Sequence, residues 1–171
     1  MKTTLYGDAA KARAATMTSS PIQVEVQGHV SLPLEEAFRY VTDAAKLAEW
    51  LPIGNRSYSI DKNAKSPGGV GSVRAIDFGK MQLAREEVVA LEPSTLYAYK
   101  ASDASLKGMY TEHLSVIGFE PHANGGTVVT WLAYAKPGKS WLMRYIGLRS
   151  FRHVLGGGMA NLEKRFPSPK E

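Results

Sequence analysis

Residues 66–76 read SPGGVGSVRAI, with three glycines in four positions followed closely by the cation Arg74. In the right setting such a run cradles a phosphate. That setting is a strand before the glycines and a helix after them, so that the helix N-terminus faces the anion. Here the glycines lead instead into Val70, Ser72, Val73, Ala75, Ile76 and Phe78, a β-type run, and no Lys-Ser or Lys-Thr closes the loop. The stretch therefore reads as a turn at Pro67-Gly68-Gly69 feeding a strand, which argues against a nucleotide enzyme.

Other chemistries are restricted by residue type. The chain has no cysteine, which excludes disulfides, thiol catalysis and zinc–cysteine sites. Its histidines, His29, His113, His122 and His153, show no metal-binding spacing such as H-x-x-x-H, so each is expected at the surface or satisfied within the fold. No G-x-S-x-G and no nucleophile–base set is visible. Neither a metal nor a cofactor is expected. The groups left for proton transfer are Glu86, Glu112 and tyrosines such as Tyr110, provided burial tunes them.

A chain of 171 residues fits one domain with a substantial core, and 44% hydrophobic residues is ordinary for a globular protein. It contains no run of 18 apolar residues, so stable membrane insertion is not expected. Residues 1–20 lack the apolar stretch of a secretory signal, and a cytoplasmic protein is the default expectation. The net charge of +5 resides at the two ends: residues 136–171 carry eight cations against two anions, while residues 21–135 carry ten against thirteen. A basic C-terminal helix reads first as a solvated face, and no nucleic-acid partner is expected.

These groups need a scaffold. Residues 1–20, small and polar, read as a flexible arm; 21–167 form the domain and 168–171 a tail. Residues 22–30 alternate as a half-buried strand. Pro33, Glu35 and Glu36 open a short helix with Leu34, Ala37, Phe38 and Val41 on its apolar face, and Asp43 caps a second one that stops at Pro52. Strands are then expected at Tyr58–Lys62, Gly71–Phe78, Met81–Leu91, Leu96–Ala101, Met109–Glu120 and Thr127–Ala135, with tight turns that imply an antiparallel sheet. From Lys139 to Phe166 the period becomes helical, with a stripe from Trp141 through Leu155 and Met159 to Phe166. Gly156–Gly158 interrupt that pattern, each at about 1 kcal/mol relative to alanine. Either the helix breaks there, or close packing or free space compensates.

The order of elements and several motifs resemble the START-like, or SRPBCC, superfamily, and most nearly its bacterial polyketide cyclase/dehydrase-like proteins. The resemblance is carried by HVSLPLEEAFRYVTDAAKLAEWLP, GGVGSVRAI and AREEVVALEPSTLYAYK. It implies an α+β helix-grip fold, in which a curved antiparallel sheet of about seven strands wraps a long C-terminal helix, with two short helices after the first strand. It also implies an internal cavity for an apolar small molecule. One helix cannot fill the concave side of so large a sheet, which points the same way.

Alternation along 110–118 places Tyr110, Glu112 and Leu114 inward. The resemblance places Arg74, Glu86, Val88, Tyr99 and Trp131 inward as well; alternation alone leaves Glu86 undecided, because Met81, Leu83, Val89 and Leu91 hold the other parity. Trp50 from the second short helix, with Leu155 and Met159 from the long one, complete the expected ligand-contacting set. The competing readings are solvent-facing acids for Glu86 and Glu112, a strand-stapling ion pair for Arg74, and plain core positions for Trp50 and Trp131. Three functions remain open: a carrier or sensor for a hydrophobic lipid-, polyketide- or isoprenoid-like molecule, a cyclase or dehydratase using a cavity Glu or Tyr, and an interaction module acting through its surface. A monomer or homodimer suits each.

Overall fold

The computed structural model describes residues 6–52, 56–60, 68–78, 81–102 and 108–168, with the side chains of 56–60, 77–78 and 81–83 left aside. Seven antiparallel strands form one curved sheet. They are β1 (Ile22–Val30), β2 (Arg56–Ile60), β3 (Val73–Phe78), β4 (Met81–Glu92), β5 (Leu96–Ala101), β6 (Tyr110–Pro121) and β7 (Thr127–Pro137). Their order across the sheet is β1-β7-β6-β5-β4-β3-β2, so the first two strands in sequence are its opposite edges. Between these edges the chain carries α2 (Leu34–Thr42), a 3₁₀ turn (Ala44–Lys46) and α3 (Leu47–Trp50). Asp43 starts the turn by accepting the Ala45 amide at 2.9 Å, the capping its position predicts.

The long C-terminal helix, Trp141–Arg165, is termed α4 here, and the helix Asp8–Ala14 is α1. Ser140 caps α4, accepting from the Met143 amide. The main core lies between the concave face of the sheet and the three helices α2, α3 and α4, and includes Phe38, Trp50, Tyr97, Phe119, Trp131 and Leu162.

One expectation changes and one open alternative is decided. The flexible arm contains α1, whose Ala10 and Ala14 are buried against the outer face of the sheet beside Leu96, Leu114, Val116 and Leu132. Small residues permit the approach: a Cβ placed on Gly118 would stand 2.7 Å from the Cβ of Ala10. Apolar outward residues on β5, β6 and β7 supply a surface that has to be covered, and two alanines four residues apart fit it. Secondly, α4 runs unbroken through Gly156–Gly158. A Cβ on Gly157 would meet Pro52 Cγ at 2.8 Å, and one on Gly158 would meet Leu51 Cδ2 at 2.9 Å. The glycines let the end of α3 lie against α4, and Asn161 Nδ2 secures the contact by donating to the Trp50 carbonyl at 2.8 Å.

Candidate functional site

Between the sheet and the helices lies a cavity of about 160 Å³. Its floor is laid by Arg74 and Ile76 of β3, Glu86 of β4, Tyr99 of β5, His113, Ser115 and Ile117 of β6, and Trp131 of β7. Val41, Leu47, Trp50 and Leu51 close one side, and Ser150, Phe151, Val154 and Leu155 of α4 close the other. The walls are mostly apolar, with polar groups on the floor, at the two indoles and at Ser150, which is the usual make-up of a small-molecule site.

Arg74 and Glu86 are direct cross-strand partners. Arg74 donates through Nε to Glu86 Oε2 at 2.9 Å and through Nη2 to the same oxygen. Their side chains are only 7% and 12% exposed. Burial alone works to lower the guanidinium pKa, but the Glu86 carboxylate, with Tyr97 and Tyr99, outweighs it and holds the group above its ordinary value. The guanidinium carbon lies 4.8 Å from the Tyr99 ring centroid, within cation–π range.

Beside this pair runs a line of neutral groups. The β5–β6 ladder ends at Tyr99 and Ser115, and the next inward amide, Ala101 N–H, donates to His113 Nδ1 at 2.9 Å. That bond assigns the proton to Nε2, which stands 3.1 Å from Ser115 Oγ. Ser115 is in turn the cross-strand partner of Tyr99. Burial lowers the His113 pKa to about 4, so the ring is neutral at pH 7. Burial also raises the Tyr99 hydroxyl above its ordinary value. The line holds protons in place: His113 can accept one only by giving up the Ala101 amide, and Glu86 is bound to Arg74.

Two donors in the wall stand apart. Trp50 Nε1 and Trp131 Nε1 are buried and have no hydrogen-bond partner among the described residues, and their rings meet edge to face with centroids 5.7 Å apart. A buried N–H without an acceptor costs about 1–3 kcal/mol, and both indole rings line the cavity.

Of the residues expected from sequence, Trp50, Arg74, Glu86, Tyr99, Trp131 and Leu155 meet at the cavity. Val88 and Met159 lie in the main core away from it, Met159 packing on Gly28. Tyr110 is one ring removed, stacked on Phe151 at 5.0 Å with its hydroxyl donating to the Arg144 carbonyl. Glu112 and Leu114 are corrections. The β6–β7 register shifts between Thr111 and Leu114, and Glu112 sits at φ 50°. This bulge turns Glu112 out to solvent, where it pairs with Lys136 at 2.7 Å, and reverses the alternation behind it. Leu114 thus faces α1 on the outer side, while His113, Ser115 and Ile117 face the cavity. His113 and Ser115 were missed for that reason. Among the described residues no group of three or more His, Asp or Glu is placed to hold a metal.

Comparison with known proteins gives the wider setting. Residues 21–167 match the family described as polyketide cyclase / dehydrase and lipid transport. No curated protein matches the chain. Among solved structures, the protein XoxI from Bacillus cereus superposes with a TM-score of 0.66 at 16% identity, covering 84% of this chain and 94% of that one. Ara h 8.0201 gives 0.63 at 18% identity, with coverage of 83% and 94%. DynU16, from the dynemicin biosynthetic locus, gives 0.58 at 24% identity over 86% of this chain and 49% of that one. At these identities the likeness concerns the fold.

Proposed function

The chain belongs to the polyketide cyclase/dehydrase and lipid transport family, and we propose that it is a binding protein, a carrier or sensor, for a hydrophobic small molecule that carries an oxygen acceptor. The observation behind this reading is the pair of indole N–H groups, Trp50 Nε1 and Trp131 Nε1, unpartnered among the described residues, on rings that line a mostly apolar cavity with a polar floor. A cavity of about 160 Å³ suits one aromatic ring or its isoprenoid equivalent, since a dry cavity of roughly 150 Å³ takes up benzene. A carbonyl or hydroxyl on that ring satisfies the indoles and removes their desolvation cost. Catalysis by a cyclase or dehydratase would need a mobile proton. The groups here are engaged: Glu86 by Arg74, and His113 by the Ala101 amide.

The test compares one-ring compounds of like shape that differ in the acceptor, acetophenone against ethylbenzene, by displacement of a small fluorescent dye. Acetophenone should bind about tenfold more tightly, the worth of one or two hydrogen bonds to buried donors. Trp131→Phe and Trp50→Phe keep the ring and remove the N–H, and each should erode that preference. Equal binding of the two compounds would sink the acceptor assignment, and turnover of a ketone substrate would favour an enzyme.

A further inference from the structure

Six large apolar side chains are exposed among the described residues, and four of them crowd into the first two turns of α4: Trp141 at 75%, Leu142 at 46%, Tyr145 at 59% and Ile146 at 43%. Single exposed hydrophobes are ordinary, but a contiguous group marks an interaction surface. Helical spacing puts 141, 145, 149 and 152 in one row and 142, 146 and 153 in the next. The buried positions Gly147, Leu155, Gly158 and Leu162 lie on its other side, and Met159, five turns beyond Trp141, is covered by β1 at Gly28.

Charge on this stretch has one sign. From Lys136 to Leu162 there are five Lys or Arg and no Asp or Glu. Lys136 is paired with Glu112. Lys139, Arg144, Arg149 and Arg152 are exposed, and among the described residues none of them has an ion-pair partner. The matching surface must be apolar where the Trp, Leu, Tyr and Ile meet it and anionic around them. A nucleic acid supplies phosphates but no apolar bed for Leu142 and Ile146. A second copy, packed symmetrically, would set these cations against themselves. An anionic bilayer supplies both, and Trp and Tyr favour its headgroup boundary.

We propose that the first turns of α4 dock the protein onto an anionic phospholipid surface. Trp141, Leu142, Tyr145 and Ile146 seat at the headgroup boundary, and the four cations face lipid phosphates. The contact is peripheral, since no helix among the described residues is long and apolar enough to cross a membrane. The next turns of the same helix supply Ser150, Phe151, Val154 and Leu155 to the cavity, so docking brings that wall to the bilayer. The docking surface stands independently of what the cavity holds.

The full chain is tested against vesicles of phosphatidylcholine alone and of phosphatidylcholine mixed with phosphatidylglycerol. Trp50 and Trp131 are 1% and 3% exposed, so Trp141 is the indole whose fluorescence reports the surface. Phosphatidylglycerol vesicles should shift its emission to the blue and shield it from acrylamide. They should carry the protein in flotation, less so as salt rises. Arg149→Glu with Arg152→Glu should lower the partition coefficient by about tenfold or more. Leu142→Asn with Ile146→Asn should lower it independently, and both variants alter exposed positions whose folding is checked by circular dichroism. The proposal is overturned if the anionic vesicles leave emission and flotation unchanged or if neither folded variant loses binding. It is also overturned if Trp141 responds to an oligonucleotide but not to vesicles, or if sedimentation shows a dimer that the substitutions dissolve while vesicles bind nothing.

Discussion

Arg74 directs two donors, Nε and Nη2, at a single oxygen of Glu86 across adjacent strands, with both side chains almost out of water. Such a pair gains little over a well-packed apolar pair, yet breaking it on one side leaves a charge buried alone. Glu86→Gln should therefore destabilise the protein by about 3–5 kcal/mol. The double variant Arg74→Met, Glu86→Leu should recover most of that loss. Urea denaturation of the three proteins forms the cycle. A loss below about 1 kcal/mol for Glu86→Gln would mean that another group balances Arg74.

His113 gives the stability a pH signature. Its folded pKa is about 4 against an ordinary 6.5. Above pH 6.5 the ring is neutral in both states and the group costs nothing. As the pH falls from 6.5 toward 4, the unfolded chain takes up a proton that the buried ring refuses, and stability drops by on the order of 3 kcal/mol. Below about pH 4 this group adds no further loss. His113→Gln can still accept the Ala101 amide but does not titrate. Urea midpoints of the two proteins should thus converge or cross as the pH falls from 6.5 to 4 if the variant begins lower, and diverge if it does not. Curves that stay parallel would show that His113 is not buried in its neutral form.

The bulge in β6 marks the boundary between what could and could not be read in the sequence. Alternation and turn residues placed β1 and β5 to the residue, and β6 and β7 to within a residue or two at each end. From Val24 to Val30 the inward and outward faces of β1 follow directly from period two, while Ile22, before a register shift, is exposed. On β6 the same rule gave the wrong face for Glu112 and Leu114, because the bulge is held by a left-handed glutamate rather than by a glycine, and nothing in residue type announces it. The outer residues Leu114 and Val116 looked like cavity wall because α1 makes them core. Arg74, Glu86 and Tyr99 were placed by the resemblance; Glu86 lies between two register shifts of β4, one between Gln82 and Ala84 and one between Val88 and Ala90, so the parity of Met81, Leu83, Val89 and Leu91 does not decide its face. A legible signal for His113 did exist: in H-x-S spacing on a strand, the histidine and Ser115 share a face.

Glu112 offers a control on the site. It stands at φ 50°, a region that L side chains other than Asn and Asp seldom adopt, and its partner Lys136 is half exposed. Glu112→Gly should relieve the backbone and forfeit a surface ion pair worth about 0–1 kcal/mol, for a net change within about 1 kcal/mol in either direction. Affinity for the displacement dye should remain within about twofold of the parent, because the side chain does not reach the cavity. A large loss of affinity would return Glu112 to the binding site.

The three glycines of α4 make separable predictions, since they differ in what surrounds them. A Cβ on Gly156 meets nothing within 4 Å, whereas one on Gly158 meets Leu51 Cδ2 at 2.9 Å and Trp50 Cζ3 at 3.1 Å. Gly156→Ala should therefore stabilise the helix by about 0.5–1 kcal/mol, the ordinary difference between the two residues in a helix interior. Gly158→Ala gains the same propensity but pushes on Trp50 and Leu51, both of which line the cavity. Overpacking of this kind costs about 1–3 kcal/mol and should exceed the gain. The displaced indole should also weaken dye binding, which Gly156→Ala should leave intact. Thermal melts and dye titrations on the two variants read both effects. If Gly158→Ala raised the melting temperature as much as Gly156→Ala, the close seat of α3 on α4 would be ruled out, and the triple glycine would need another cause.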